Sequence, residues 1–395
     1  MRGGARTGAG RKPAGLDKKN QRPLYIPDAL YESIMAKDIP GCQNFSQKCE
    51  VLLNKAIWTE AIASVQLPFT PSDGKLRFID LFAGIGGIRQ GFEDKNTIAV
   101  FSSEWDKYAA ETYKANYGDT PHGDITKIEA IDIPRHDVLL AGFPCQPFSN
   151  IGRREGFAHT TQGTLFFDVL RILKLHMPKM FLLENVAGIL SIQDGVAFKT
   201  ILASLRDLGY DVFWDELDAQ NFGLPQVRRR VIIVGFHPDY AIKDFKLPQG
   251  DESYRRPIKE ILEKNLSGYE ISEHLQNSYL YKKNDGKPQI VDGSSEIQVK
   301  TLVASYHKIQ RLTGTFVKDG PTGVRLLSEL ECKRLMGFPD SFIVPVSRTQ
   351  MYRQFGNSVA VPMIRAVADE MKNVLEGAEK SRITSNKAPL KQSAS

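Results

Sequence analysis

Cysteine is scarce in this 395-residue chain, with four residues in all: Cys42, Cys49, Cys145 and Cys332. So few, so scattered, exclude a disulfide framework and a four-cysteine zinc site. Cys42 and Cys49 have no histidine near them in sequence, so no metal is expected there. Long apolar runs are lacking too, and none approaches the ~20 residues that span a bilayer. The N-terminus is basic but has no apolar centre, which excludes a secretory signal and leaves cytoplasmic residence as the expectation. There is no internal repeat. With 42% apolar and 25% charged residues the chain has no signature of global disorder. Its length allows a large core and two or three domains.

Charge is present but localised. Residues 1–23 carry Arg2, Arg6, Arg11, Lys12, Lys18, Lys19 and Arg22 against Asp17, which accounts for the whole net charge of +6. Such a Gly-rich basic arm suits contact with phosphate, or simply keeps the chain in solution. Residues 1–22 are expected to be disordered. Residues 23–70 read as an N-terminal extension. Arg22–Pro27 looks extended, Asp28 caps a helix over Ala29–Lys37, and Asn44 or Ser46 caps a second helix through Trp58. That order is similar to a ribbon-helix-helix DNA-binding unit; a helical cap on the main domain is the alternative.

From Leu76 to Phe236 apolar runs (Arg77–Phe82, Ile98–Ser102, Val138–Ala141, Met180–Leu183, Val231–Phe236) alternate with amphipathic stretches (Lys107–Tyr117, Thr164–Leu175, Ala197–Leu208). Alternation of this kind predicts an α/β fold, a parallel sheet with helices on both faces. Residues 237–323 break the pattern and are polar without being basic. Helical pattern returns at Ser328–Met336 and Ser358–Leu375, and residues 377–395 read as a disordered tail.

Several predicted strand ends carry chemistry. Gly142-Phe143-Pro144-Cys145-Gln146-Pro147-Phe148-Ser149 follows an apolar strand, and its two prolines hold the thiol on a stiff loop. Phe78 through Gly87 runs from a strand into a turn with Ala83, Gly84, Ile85, Gly86 and Gly87. Glycines there let backbone approach a ligand, but the third glycine of the dinucleotide fingerprint is missing. A second strand ends in Glu104-Trp105, a carboxylate for ribose hydroxyls and an indole for stacking; Gly123-Asp124-Ile125 ends a third short segment. No Lys or Arg for phosphate sits near the glycine turn, which favours S-adenosylmethionine over NAD or ATP. Glu184-Asn185-Val186 places a carboxylate at another strand end. Gln226 through Arg230 precedes a strand and sets Arg228 and Arg230 on one side. Gln354-Phe355-Gly356-Asn357-Ser358-Val359 opens the last predicted helix.

These motifs, with Gly163-Thr164-Leu165-Phe166-Phe167 and Arg325 through Phe338, stand in an order that resembles the DNA (cytosine-5) methyltransferase family of bacterial restriction-modification systems. The likeness runs from about Arg77 to Ala368, apart from the variable segment. It implies a class I S-adenosylmethionine-dependent methyltransferase fold, doubly wound and mostly parallel. Residues 75–236 would bind cofactor and hold the catalytic residues, 237–323 would be a smaller target-recognition domain, and 324–376 would complete the catalytic domain. Cys145 would be the nucleophile and Glu184 would hold the cytosine, with Arg228 or Arg230 supplying positive charge. Phe82 and Trp105 would face the adenine, Glu104 the ribose, and Asp124 and Ile125 the adenine edge. Ile85, Gly87, Pro144, Asn357 and Ser358 would line the rest of the pocket. The cytosine would be flipped from double-stranded DNA. Thr301-Leu302 matches a short motif of the family's target region, making Thr301, Tyr306, Lys308, Arg311 and Ser149 the candidate DNA contacts. A restriction endonuclease sharing the target site is the implied functional partner. A monomer is expected, or a dimer if residues 23–70 are a ribbon-helix-helix. Two alternatives were weighed. A tRNA methyltransferase on this scaffold carries a Cys-Phe-Thr stretch in the variable region, and this chain has no cysteine between Cys145 and Cys332. A catalytically dead DNA-binding regulator would not need the intact Cys145, Glu184 and Arg228 set.

Overall fold

A computed structural model describes residues 74–144 and 165–387, together with Met35 and Ala36. The expected arm, all but two positions of the 23–70 extension, and residues 145–164, with Cys145 and Ser149, lie outside the described residues. The chain from Gln66 onward is one compact unit, distinct from Met1–Val65.

Six strands, β1 (Leu76–Leu81), β2 (Thr97–Ser103), β3 (Val138–Gly142), β4 (Met180–Val186), β5 (Asp211–Asp218) and β6 (Arg229–Phe236), form one sheet in the order β2-β1-β3-β4-β6-β5. The first four are mutually parallel, and β6 runs antiparallel between β4 and β5. β3 and β4 are near-continuous apolar runs because both their faces are covered. Among the described residues, the α-helices of six or more residues are α1 (Gly87–Phe92), α2 (Lys107–Tyr117), α3 (Leu165–His176), α4 (Val196–Asp207), α5 (Glu329–Met336), α6 (Arg348–Asn357) and α7 (Val361–Lys387). One sheet face, with Ile79, Leu139 and Leu183, packs on α3 and α4. The other, with Phe78, Leu140 and Leu182, packs on α1 and on Met363, Val367 and Met371 of α7. Chain order reverses between β1 and β3, and the crevice beyond their carboxyl ends is where such sheets bind ligands.

The segment between β6 and α5 contains the two-stranded parallel sheet of β7 (Gln289–Val291) and β8 (Thr315–Val317). Its apolar residues, Val291, Phe316 and Val317 among them, share a core with Leu335, Met351, Tyr352 and Phe355 of α5 and α6. The expected 324–376 segment is therefore divided: through α6 it packs with the 237–323 region, and from Met363 it covers the six-stranded sheet. Three local expectations are corrected. α7 runs to Lys387, eleven residues into the stretch expected to be disordered. Gln354 through Asn357 closes α6, with Ser358 as its C-cap, and does not open the last helix. Asp124 caps a single 3-10 turn, Ile125–Lys127, where a strand end was expected. Among the described residues no helix is long and apolar enough to cross a membrane, and no group of three or more His, Cys, Asp or Glu could hold a metal.

A buried histidine pair locks the entry to β3 onto the end of α3. His136 Nδ1 and His176 Nε2 each lie 2.8 Å from a carbonyl oxygen, of Pro134 and Ala130, so each carries its proton there. The rings lie with centroids 4.6 Å apart, tilted by 36°, and the other two ring nitrogens have no partner among the described residues. Burial, then the neighbouring His176, pushes His136 down to about 3. Burial lowers His176 as well. Between about pH 6.5 and 3 the unfolded chain binds protons that the folded chain does not, so stability falls as pH drops through that window. We expect wild type to lose up to about 1.4 kcal/mol more per pH unit than His136→Asn, which keeps the bond to Pro134, in urea melts below pH 6.5. Parallel stability curves for the two proteins would contradict this.

Candidate active site

The turn after β1 is shaped by left-handed backbone at Phe82 (φ 54°), Gly84 (φ 55°) and Gly86 (φ 83°). It is tied to the end of β2. Ala83 N–H donates to the Ser103 carbonyl at 2.9 Å, and Gly84 N–H donates to Glu104 Oε2 at 2.8 Å. Glu104 Oε1 accepts the Asp106 N–H at 2.7 Å. A carboxylate has about four acceptor sites, so Glu104 keeps capacity for a ligand's hydroxyls. Burial raises its pKa, and these backbone bonds oppose the rise. Beside it Trp105 is 81% exposed, an indole face open to a partner. Phe82 is half-buried. Ala83, Ile85 and Ile125 are buried, and Ile85 belongs with Phe338 to the core shared with β7 and β8. The turn meets the end of α6: a Cβ on Gly87 would stand 2.5 Å from Ser358 Oγ. Asn357 is exposed and Ser358 half-buried at this lip. The Asp124 carboxylate accepts from Thr126 N–H and Oγ1 at 3.1 and 2.8 Å, and it stays partly exposed.

Glu184 lies on β4 opposite Gly142 of β3 and Ile232 of β6. Directly paired residues share a sheet face, so Glu184 and Arg230, two positions before Ile232, point the same way. Arg230 Nε lies 2.8 Å from Glu184 Oε1. A Cβ on Gly142 would reach 3.5 Å from Oε2 and 3.3 Å from Ile88; glycine keeps that side of the carboxyl clear. Asn185 Nδ2 donates to the Phe143 carbonyl at 2.8 Å and fixes the start of the loop that leads through exposed Pro144 toward Cys145. Burial raises the Glu184 pKa, and Arg230 and then Arg228 pull it down without cancelling the rise. A carboxyl that retains its proton more readily than usual is a donor as well as an acceptor.

A model of C-5 cytosine-specific DNA methylase matches residues 76–373, and that span contains every feature just described. The chain belongs to that family. This methylase is a DNA (cytosine-5) methyltransferase, and it is 60% identical to the Type II methyltransferase M.BsuFI of Bacillus subtilis across 96% of this chain and 98% of that one. It is 54% identical to the Type II methyltransferase M.MspI of Moraxella sp, covering 76% and 71% of the two chains. Its fold is similar to the crystal structure of S. pombe Dnmt2 methyltransferase, with a TM-score of 0.61 and 22% identity, over 77% of this chain and 99% of that one.

Three expected site residues of this methylase have other partners. Arg228 precedes β6, is buried, and donates to the carbonyls of Leu302, Gly356 and Ser358; Arg230 is the arginine that contacts Glu184. Tyr306 is 3% exposed, donating to the Thr315 carbonyl at 2.6 Å and accepting Leu327 N–H at 3.0 Å, so it does not reach DNA. Arg311 is buried, ion-paired to Asp285 and bonded to the carbonyls of Leu280, Lys283 and Lys287; it anchors its loop and is not a free base reader. Thr301 Oγ1 donates to the Val227 carbonyl at 2.6 Å, and Lys308 is exposed. One residue went unassigned in the sequence. Asp80, under the glycine turn, has both carboxyl oxygens buried without a partner among the described residues, and burial above all pushes it up to about 8.

Proposed function

We propose that this methyltransferase acts on C5 of a flipped-out cytosine in a specific duplex sequence, through a covalent bond between Cys145 and C6. The observation that carries the reading is Glu184, buried with its carboxyl clear on the Gly142 side and gripped by Arg230 on the other.

The cofactor pocket fits S-adenosylmethionine. Glu104 has free acceptor capacity, Trp105 offers an open indole face, and a Cβ on Gly84 would meet nothing within 4 Å. Phe82 and Trp105 would hold the adenine, Glu104 the ribose, Asp124 and Ile125 the adenine edge. Ala83 through Gly87, Pro144, Asn357 and Ser358 would complete the wall. When bound, the cofactor supplies an electrophilic methyl group.

The chain's own residues prepare the base to accept it. Cytosine C5 is a poor nucleophile. Addition of the Cys145 thiolate to C6 forms a C–S bond and shifts the C5–C6 π pair to C4–C5 and the C4–N3 π pair onto N3, where Glu184 protonates or hydrogen-bonds the nitrogen and relieves the developing charge. C5 thereby becomes an enamine carbon. After methylation a base, for which water suffices, takes the C5 proton; the C5–C6 double bond re-forms as the C–S bond breaks, N3 returns its proton to Glu184, and the thiolate is restored. Arg230 orients Glu184. Thr301, Lys308 and Ser149 are the proposed DNA contacts. Kinship with Type II methyltransferases supports a cytoplasmic role that protects DNA from a restriction endonuclease sharing the target site.

The test needs no knowledge of the target sequence. Duplex DNA amplified with 5-fluorodeoxycytidine in place of deoxycytidine is incubated with the full chain and S-adenosylmethionine. Fluorine at C5 cannot leave as a proton does, so the adduct persists. A denaturation-resistant protein–DNA complex is expected for wild type and none for Cys145→Ala. Absence of the complex from wild type would overturn the covalent route.

A further inference from the structure

Arg228 is an unusual buried arginine. It is 1% exposed; its backbone N–H donates to Asp218 Oδ1 at 3.0 Å, but none of the described hydrogen bonds of its guanidinium goes to a carboxylate. Nη1 donates to the Leu302 carbonyl at 2.9 Å, and Nη2 donates to Gly356 at 3.1 Å and to Ser358. Nε is buried with no partner among the described residues. Burial and the nearby Arg230 lower its pKa, with Glu184 acting the other way.

The three carbonyls belong to two working surfaces. Leu302 follows Thr301 in the target region. Gly356 and Ser358 flank Asn357 at the lip that faces Gly87. These two stretches are in backbone contact: a Cβ on Gly356 would stand 2.2 Å from Ala304 N and 2.3 Å from the Val303 carbonyl carbon. Gln226, two residues before Arg228, adds a second tie. Its Oε1 accepts Leu302 N–H at 2.9 Å, and its Nε2 donates to the Leu335 carbonyl at 2.9 Å. On either side of Gln226, Pro225 and Val227 exchange backbone bonds with Val299, both at 2.9 Å. The 299–304 segment is thus fastened to 225–228 and packs on Gly356, and the Arg228 guanidinium hydrogen-bonds it to the carbonyls on both sides of Asn357 at the cofactor lip.

We propose that Arg228 is a positioning residue that passes cofactor occupancy to the target-reading segment. A ligand seated against 356–358 restrains the Gly356 and Ser358 carbonyls. The rigid planar guanidinium holds these and the Leu302 carbonyl in one fixed fork, so Leu302 and its neighbour Thr301 are restrained with them. The ordering of residues 299–304 is then already met when DNA arrives, and by linkage DNA tightens the cofactor by the same factor. The proposal rests on the functional reading above for the roles of Asn357, Ser358 and Thr301.

The experiment is hydrogen exchange with mass spectrometry on the full chain, with and without saturating S-adenosylhomocysteine and without DNA. In wild type, exchange is expected to slow at 82–87 and also about tenfold at 299–305, within the roughly 5- to 150-fold range of site-to-site coupling. Arg228→Lys places a point charge where a fork was. It should retain the slowing at 82–87 and lose it at 299–305. Wild-type slowing confined to 82–87 would overturn the link whether or not the variant folds, and so would equal slowing of 299–305 in Arg228→Lys. Failure of wild type to bind S-adenosylhomocysteine at all would instead overturn the functional reading, and the link with it.

Discussion

Glu184→Gln is expected to lower kcat by about 10²- to 10⁴-fold, the usual worth of a positioned acid–base group, while leaving S-adenosylhomocysteine affinity within about twofold. The geometry decides how the glutamine sits. Arg230 Nε donates to Oε1 in wild type, so the amide oxygen of the variant must take that place. Its NH₂ then occupies the Oε2 side, toward Gly142. It can still donate a hydrogen bond to N3 of a cytosine, but it cannot hand over a proton or accept from the 4-amino group. The variant therefore separates holding the base from protonating it. Because burial raises the Glu184 pKa, the wild-type rate at saturating substrate should fall as pH rises through that raised value, and the Gln variant should lack that limb. Single-turnover kinetics with labelled methyl donor read both effects. A kcat within threefold of wild type would remove Glu184 from the chemistry.

The same comparison shows what a sequence can and cannot disclose. β3 and β4 were legible because strands buried on both faces are apolar throughout. β5, Asp-Val-Phe-Trp-Asp-Glu-Leu-Asp, was not, because an edge strand with half-exposed faces mixes charge with apolar residues. Glu184 was legible as a carboxylate at a strand end and Arg228 and Arg230 as cations on one side, but nothing in the sequence joins Arg230 to Glu184. Arg228 and Arg311 were assigned to chemistry and to DNA, but most of their partners are backbone carbonyls. Every residue type carries that acceptor, so no letter in the sequence marks it. The buried Tyr306 hydroxyl was misread for the same reason. Asp80 lies in the strand that runs into the glycine turn and had no role, since nothing in one sequence tells a solvated aspartate from one whose carboxyl is buried without a partner. The break between α6 and α7 lies at Ser358; the sequence reading has no helix over Arg348–Asn357 and instead opens the last helix with Gln354 through Val359.

Arg325→Met is expected to destabilise the folded chain by about 3–5 kcal/mol, the cost of leaving a buried charge without its partner. Arg325 and Glu331 are both 0% exposed. All five guanidinium N–H groups have acceptors. Nη1 and Nη2 each bond a Glu331 oxygen at 2.8 Å, Nε bonds Asp319 at 2.9 Å, and the carbonyls of Leu326 and Glu263 take the remaining two at 3.0 and 2.9 Å. Glu331 in turn accepts the N–H groups of Ser328 and Glu263, both at 2.8 Å, so the pair joins the cap of α5 to the target region. Removing the arginine strands a fully buried carboxylate; removing both charges strands neither. Arg325→Met combined with Glu331→Leu should therefore recover most of the loss in urea melts, even though it deletes twice as many polar groups. Loss of the Ser328 capping box limits that recovery by about 1 kcal/mol. If the double variant were as unstable as the sum of the two single ones, the two charges would show no coupling, and the argument that each is stranded by loss of the other would fail.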